Sequence, residues 1–95
     1  MSAFTEHLRL SILRLLEGAP AYRANSSIIH GEVNRFGLAA SRDQVKTELS
    51  WLAEQALVRA ETVGDMVVAE LTDRGVDVAT GRAVVPGVQR PAARA

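Results

Sequence analysis

The chain has no cysteine, which removes disulfides and thiolate metal sites as a source of stability. It has no surplus of charge either, since eleven basic side chains balance eleven acidic ones. Binding to nucleic acid without sequence preference depends on neutralising phosphates. A strong nonspecific binder is therefore disfavoured, and any cationic surface has to be local. Aromatic residues make up only 4% of the sequence. No apolar run approaches the roughly 20 residues of a membrane-spanning helix. Glu6 and Arg9 interrupt the N-terminal apolar pattern, unlike a secretion signal. The expectation is a cytoplasmic protein with no membrane partner. Histidine occurs only as His7 and His30, outside any metal-ligand spacing, and no glycine-rich phosphate loop is present. No catalytic residue, metal site or cofactor is expected, and the chain is read as not an enzyme.

What remains is 47% hydrophobic in ninety-five residues, enough for one small packed domain. Phe4, Leu8, Ile12, Leu15 and Leu16 recur at helical spacing and predict a first helix over Phe4–Glu17. Ser2 or Thr5 can cap it, and Gly18 and Pro20 stop it. Ala19–Asn25 is read as a loop. A second helix begins at a cap on Asn25, Ser26 or Ser27 and runs to about Phe36, turning Ile28, Ile29, Val33 and Phe36 inward. Gly31 weakens this helix and leaves room for another to approach. Gly37 suits the left-handed position after it.

Ser41 and Gln44 have capping-box spacing at the start of a third helix. Its inward stripe is Val45, Leu49, Leu52 and Ala56. Asp43, Gln44, Thr47, Ser50, Trp51 and Glu54 form the opposite face, with Arg42 and Lys46 on the flank. Leu57–Val63 and Met66–Leu71 are rich in strand formers and flank Gly64-Asp65, which predicts a hairpin. A lone hairpin is marginal, so Val67, Ala69 and Leu71 are expected to face the helices. Thr72 or Asp73 starts a last short helix to about Thr80, with Val76 and Ala79 inward. The fold class is therefore α+β: a winged helix-turn-helix with a three-helix core, a two-stranded β-hairpin wing and a short C-terminal helix. This domain occupies residues 1–80. Residues 81–95 form a Pro- and Arg-containing arm or tail.

In such an arrangement the third helix offers its first turns to the major groove. Arg42 and Gln44 are placed as base readers or phosphate clamps, Thr47 as a contact to a thymine methyl or a phosphate, and Lys46 as a backbone contact. Arg23 in the loop and Arg82, Arg90 and Arg94 in the tail add to that surface if they gather on the same side. Against this stand Asp43 and Glu54 on the helix, with Glu61 opposing Arg59 and Asp65 at the wing tip. Leu10 and Leu13 fall off the first helix's stripe and are either exposed leucines or an interface with another subunit. Trp51 either packs under the wing or chain terminus, or anchors a protein interface.

Val45, Leu49, Leu52 and Leu57-Val58, followed by Leu71-Thr72-Asp73-Arg74-Gly75, resemble winged-helix bacterial regulators of the ArsR and MarR type. Glu48–Gln55, Leu71–Gly75 and Gly81–Val88 are closer to small winged-helix proteins of Mu-like phages and prophages. The resemblance implies DNA contacts at Ser41, Arg42, Gln44, Lys46 and Thr47, wing contacts near Gly64-Asp65, and a homodimer. The chain departs from it in lacking metal-binding cysteines and a long terminal dimerisation helix, and in its short, acid-tipped wing. The expected function is a sequence-specific, DNA-binding transcriptional regulator of phage or prophage type, with double-stranded DNA as partner. The alternative is a winged-helix protein-interaction or assembly module that engages a phage or host protein without DNA.

Overall fold

A computed structural model describes residues 2–92. Helix α1 spans Ala3–Glu17, and Ser2 caps it by accepting from the Thr5 amide. A short 3-10 turn at Pro20–Tyr22 leads into β1, Arg23–Asn25. Helix α2 covers Ser26–Arg35, with Asn25 capping the Ile28 amide. Helix α3 covers Arg42–Glu54 and opens with both bonds of the Ser41–Gln44 capping box. Strands β2 (Val58–Val63) and β3 (Met66–Leu71) form the hairpin, and α4 spans Asp73–Ala79. Thr72 caps α4 through the Gly75 amide.

This is a winged helix-turn-helix of the α+β class, with one addition to the expected wing. The segment read as a loop contains β1, which pairs antiparallel with β3 and makes a three-stranded sheet in the order β1-β3-β2. Arg23 stands opposite Glu70, Ala24 opposite Ala69 and Asn25 opposite Val68. Three strands with one apolar face are stable where a lone hairpin is not. The Val67 amide also donates to the Ser26 hydroxyl, which ties the first residue of α2 to the sheet.

The core is aliphatic, with Leu8, Ile12, Leu16, Ile29, Val45, Leu49, Leu52, Leu57 and Ala69 removed from water. Leu10 and Leu13 are also buried, at 3% and 0% exposure. Their expected place at a subunit interface is overturned. Helix α1 packs against α2, α3, β3 and α4, so its second apolar face is covered within the chain.

Three apolar positions expected inward face outward instead. Ile28 is 54% exposed, because neighbouring helical residues point about 100° apart and Ile29 takes the core direction. Phe36 is 75% exposed. It is the C-cap of α2, and the chain closes there through bonds from Gly37 N to Asn34 O and from Leu38 N to Val33 O. That closure gives the inward contact to Leu38. Ala56 lies beyond the end of α3 at φ 61°, and Leu57 turns in after it. A side chain at Gly31 would meet nothing within 4 Å, so the close helix approach expected there does not occur. Gly75 is where it occurs: a Cβ would lie 2.1 Å from the Leu57 carbonyl oxygen.

Candidate nucleic-acid interface

The first turns of α3 are open. Ser41, Arg42, Asp43, Gln44 and Thr47 are exposed, and Lys46 is half-buried against the wing. The capping box consumes the Ser41 and Gln44 side chains locally. The Gln44 carboxamide oxygen accepts from the Ser41 amide at 2.8 Å, and the Ser41 hydroxyl accepts from the Gln44 amide at 3.0 Å. Both side chains therefore hold the helix start first and have only their remaining hydrogen-bonding capacity to offer a ligand.

The start of α2, one edge of α3 and the wing tip meet around Arg42 and Lys46. Arg42 donates to the Ser27 hydroxyl at 3.2 Å. Lys46 donates to the Asp65 backbone carbonyl at 2.5 Å, which ties α3 to the wing turn. Together with Ser26 and Met66 these groups line a small hollow. An arginine has five N–H donors and a lysine ammonium three. Each of these bonds uses one donor, and each goes to a neutral oxygen. The positive charge of both heads stays available to an anion, with Asp65 as the nearby acidic counterweight.

The structure separates the other expected cations from this pair. Arg23 sits on β1 opposite Glu70, in a shallow site shared with Arg59, Glu61 and Glu70. Arg59 approaches Glu70 at 4.0 Å. Arg82 and Arg90 are exposed on the C-terminal segment, and Arg94 lies outside the described residues. That segment packs against α1 and Trp51: Val85 and Val88 are buried, and the Gln89 amide donates to the Glu6 carbonyl. Trp51 follows Arg42 by nine residues, which is half a turn around the helix. The stretch around Gly87, which meets Trp51, therefore lies on the side of α3 opposite Arg42, and Pro91 and Ala92 run on to the ends of α1 and α4. Asp43, Thr47, Ser50 and Glu54 lie between the two edges, giving the exposed face a neutral-to-acidic middle.

Trp51 is half-buried beneath the C-terminal segment. The Arg9 guanidinium stacks 3.6 Å from its ring centre. Arg9 Nε also donates to Glu48 Oε1 at 2.6 Å, and its Nη1 donates to the Gly87 carbonyl at 3.0 Å. Gly87 adopts φ 100°, and a Cβ there would lie 2.8 Å from the indole. Sequence reasoning offered Trp51 a place under the wing or the chain terminus and missed the Arg9–Glu48 pair that holds it there. The available signal was a charged residue at the margin of an apolar stripe on each of two helices: in helical projection Arg9 lies beside Leu16, and Glu48 lies beside Leu52.

The fold and this surface define a winged helix-turn-helix domain with an open third helix flanked by two cations. The chain belongs to the family of gp26 of Escherichia phage Mu, an uncharacterized protein to which it is 47% identical over 91 residues, covering 96% of this chain and 94% of gp26. An uncharacterized protein of Haemophilus influenzae is 43% identical over 77 residues, covering 80% of this chain and 74% of its own length. No protein-family model matches the chain. Among solved structures, the MarR-family transcriptional regulator AbsC of Streptomyces coelicolor superposes with a TM-score of 0.62 at 19% identity over 76% of this chain. The chain spans about half the length of AbsC, 47%, and the likeness is one of fold.

Proposed function

We propose that this protein is a DNA-binding transcriptional regulator of phage type, and that it acts by binding rather than by catalysis. The observation that supports this most is the open start of α3, where Arg42 and Lys46 keep their charge beside the wing tip and the start of α2. Helix-turn-helix proteins place the first turns of this helix in the major groove, while neighbouring elements contact the backbone. In this reading Arg42 and Lys46 hold phosphates or base edges, and Thr47 reads from the same face. Gln44 contributes while keeping its cap, and Ser41 positions the helix start. Arg23 belongs to a different surface and has no part in the contact.

The test is selection from fragmented genomic DNA followed by a salt titration. Two cations per chain give an expected log–log salt slope of about −1.8 per chain. Arg42→Ala is expected to weaken the complex about tenfold and to flatten the slope by about 1. Arg59→Ala, on the sheet beside Glu70, is expected to change little. If no sequence is enriched and no salt-sensitive complex forms, the reading fails. The neutral-to-acidic middle of α3, with Asp43 and Glu54, would then favour a protein-interaction module.

A further inference from the structure

The most exposed large apolar side chain among the described residues is Phe36; the Arg35 guanidinium lies 5.8 Å from its ring centre, and the ring is continuous with an apolar hollow, a patch rather than a lone side chain. It borders a groove of about 640 Å³ between the second halves of α1 and α2. Leu15, Val33 and Leu38 supply apolar lining, with Arg14 on the α1 wall and Glu32 on the α2 wall. Arg14 has no ion-pair partner among the described residues. Glu32 has only Arg35, at 3.4 Å on the surface, a type of pair that contributes little.

We infer that this groove is where a second copy of the chain docks across a twofold axis. Each Phe36 ring fills the other copy's groove, and each Arg14 faces the other copy's Glu32. The occupant follows from charge. The walls carry opposite signs, so rotating a second copy to set α1 against α2 brings cation to anion twice. A twofold interface requires this kind of self-complementarity. Phe36 also lies nine residues from Ser27, which places it on the opposite side of α2 and roughly 13 Å along its axis. Occupying the groove therefore leaves the Arg42–Ser27 edge open, and one dimer presents two copies of it. This inference stands apart from the DNA reading, and it relocates the expected homodimer contact away from Leu10, Leu13 and Trp51.

Sedimentation velocity on the full chain, from low to high micromolar, tests it. A monomer–dimer equilibrium is expected. Phe36→Glu should raise the dimer Kd about thirtyfold or more with an unchanged circular dichroism spectrum, since the ring is largely in water. Arg14→Glu and Glu32→Arg should each weaken the dimer, and the two combined should restore it. The inference is overturned if the wild type stays monomeric, if Phe36→Glu leaves the dimer intact, or if the double exchange associates no better than the single ones. Uptake of a different chain into the groove of a monomeric wild type would also overturn it. Whether the monomeric Phe36→Glu variant still binds DNA is a separate measurement, so each reading can fail alone.

Discussion

At the scale of single residues, the most consequential group is Arg9. Its guanidinium is stacked on Trp51, ion-paired with Glu48 and bonded to the Gly87 carbonyl. The Arg9 and Glu48 side chains keep only 7% and 11% of their surface exposed. Removing one member of such a pair leaves a buried charge poorly compensated, and the loss exceeds the net worth of the bond. Glu48→Ala is therefore expected to destabilise the fold by about 3 kcal/mol, measured as a lower midpoint in urea. Gly87→Ala adds a Cβ against the indole at a left-handed φ. Strain and overpacking together predict a loss of about 1–3 kcal/mol, read the same way.

At the scale of elements, both helices that flank the turn end alike. The amides of Gly37 and Leu38 close α2, and those of Ala56 and Leu57 close α3 by the same pair of bonds, Ala56 N to Ala53 O and Leu57 N to Leu52 O. The first closure has glycine in the left-handed position, and the second has alanine at φ 61°. Ala56→Gly relieves that strain and is expected to stabilise the protein by up to about 1 kcal/mol. Ser41→Ala removes half of the capping box and is expected to lose about 1 kcal/mol. Both are checked by thermal melts.

Elements with strong local signals were legible in the sequence: three helices with polar caps, the Gly64-Asp65 hairpin, and the cap at Thr72. Strand β1 was not, because three residues carry too little pattern and form a strand only once β3 lies beside them. The outward turns of Phe36 and Ile28 were missed for a related reason. Periodicity locates an apolar stripe but does not show where a helix stops. The site was legible in part. Arg42 and Lys46 stand on the flank where helical projection puts them, while the separation of Arg23 depends on the sheet and could not be read locally.

At the scale of the whole molecule, neutrality proves to be a matter of distribution. Arg42 and Lys46 sit on one edge of α3. Arg23 and Arg59 share another surface with Glu61 and Glu70, and Arg82 and Arg90 follow the C-terminal segment to a third. The same segment completes the core, since Val85 and Val88 are buried members of it. Deleting residues 84–95 is expected to destabilise the fold by about 3 kcal/mol or more, on the order of the burial of two valines. That is a large share of a small domain's stability, and it would appear as a marked drop in Tm.

The capped indole has a practical consequence. Trp51 is the sole tryptophan, shielded by a guanidinium and the chain's last stretch, half a helical turn away from Arg42. Its fluorescence should therefore report release of that stretch and stay nearly silent when a ligand occupies the far edge of the same helix. The protein thus carries its own optical gauge, with loosening and occupancy registering separately without any added dye.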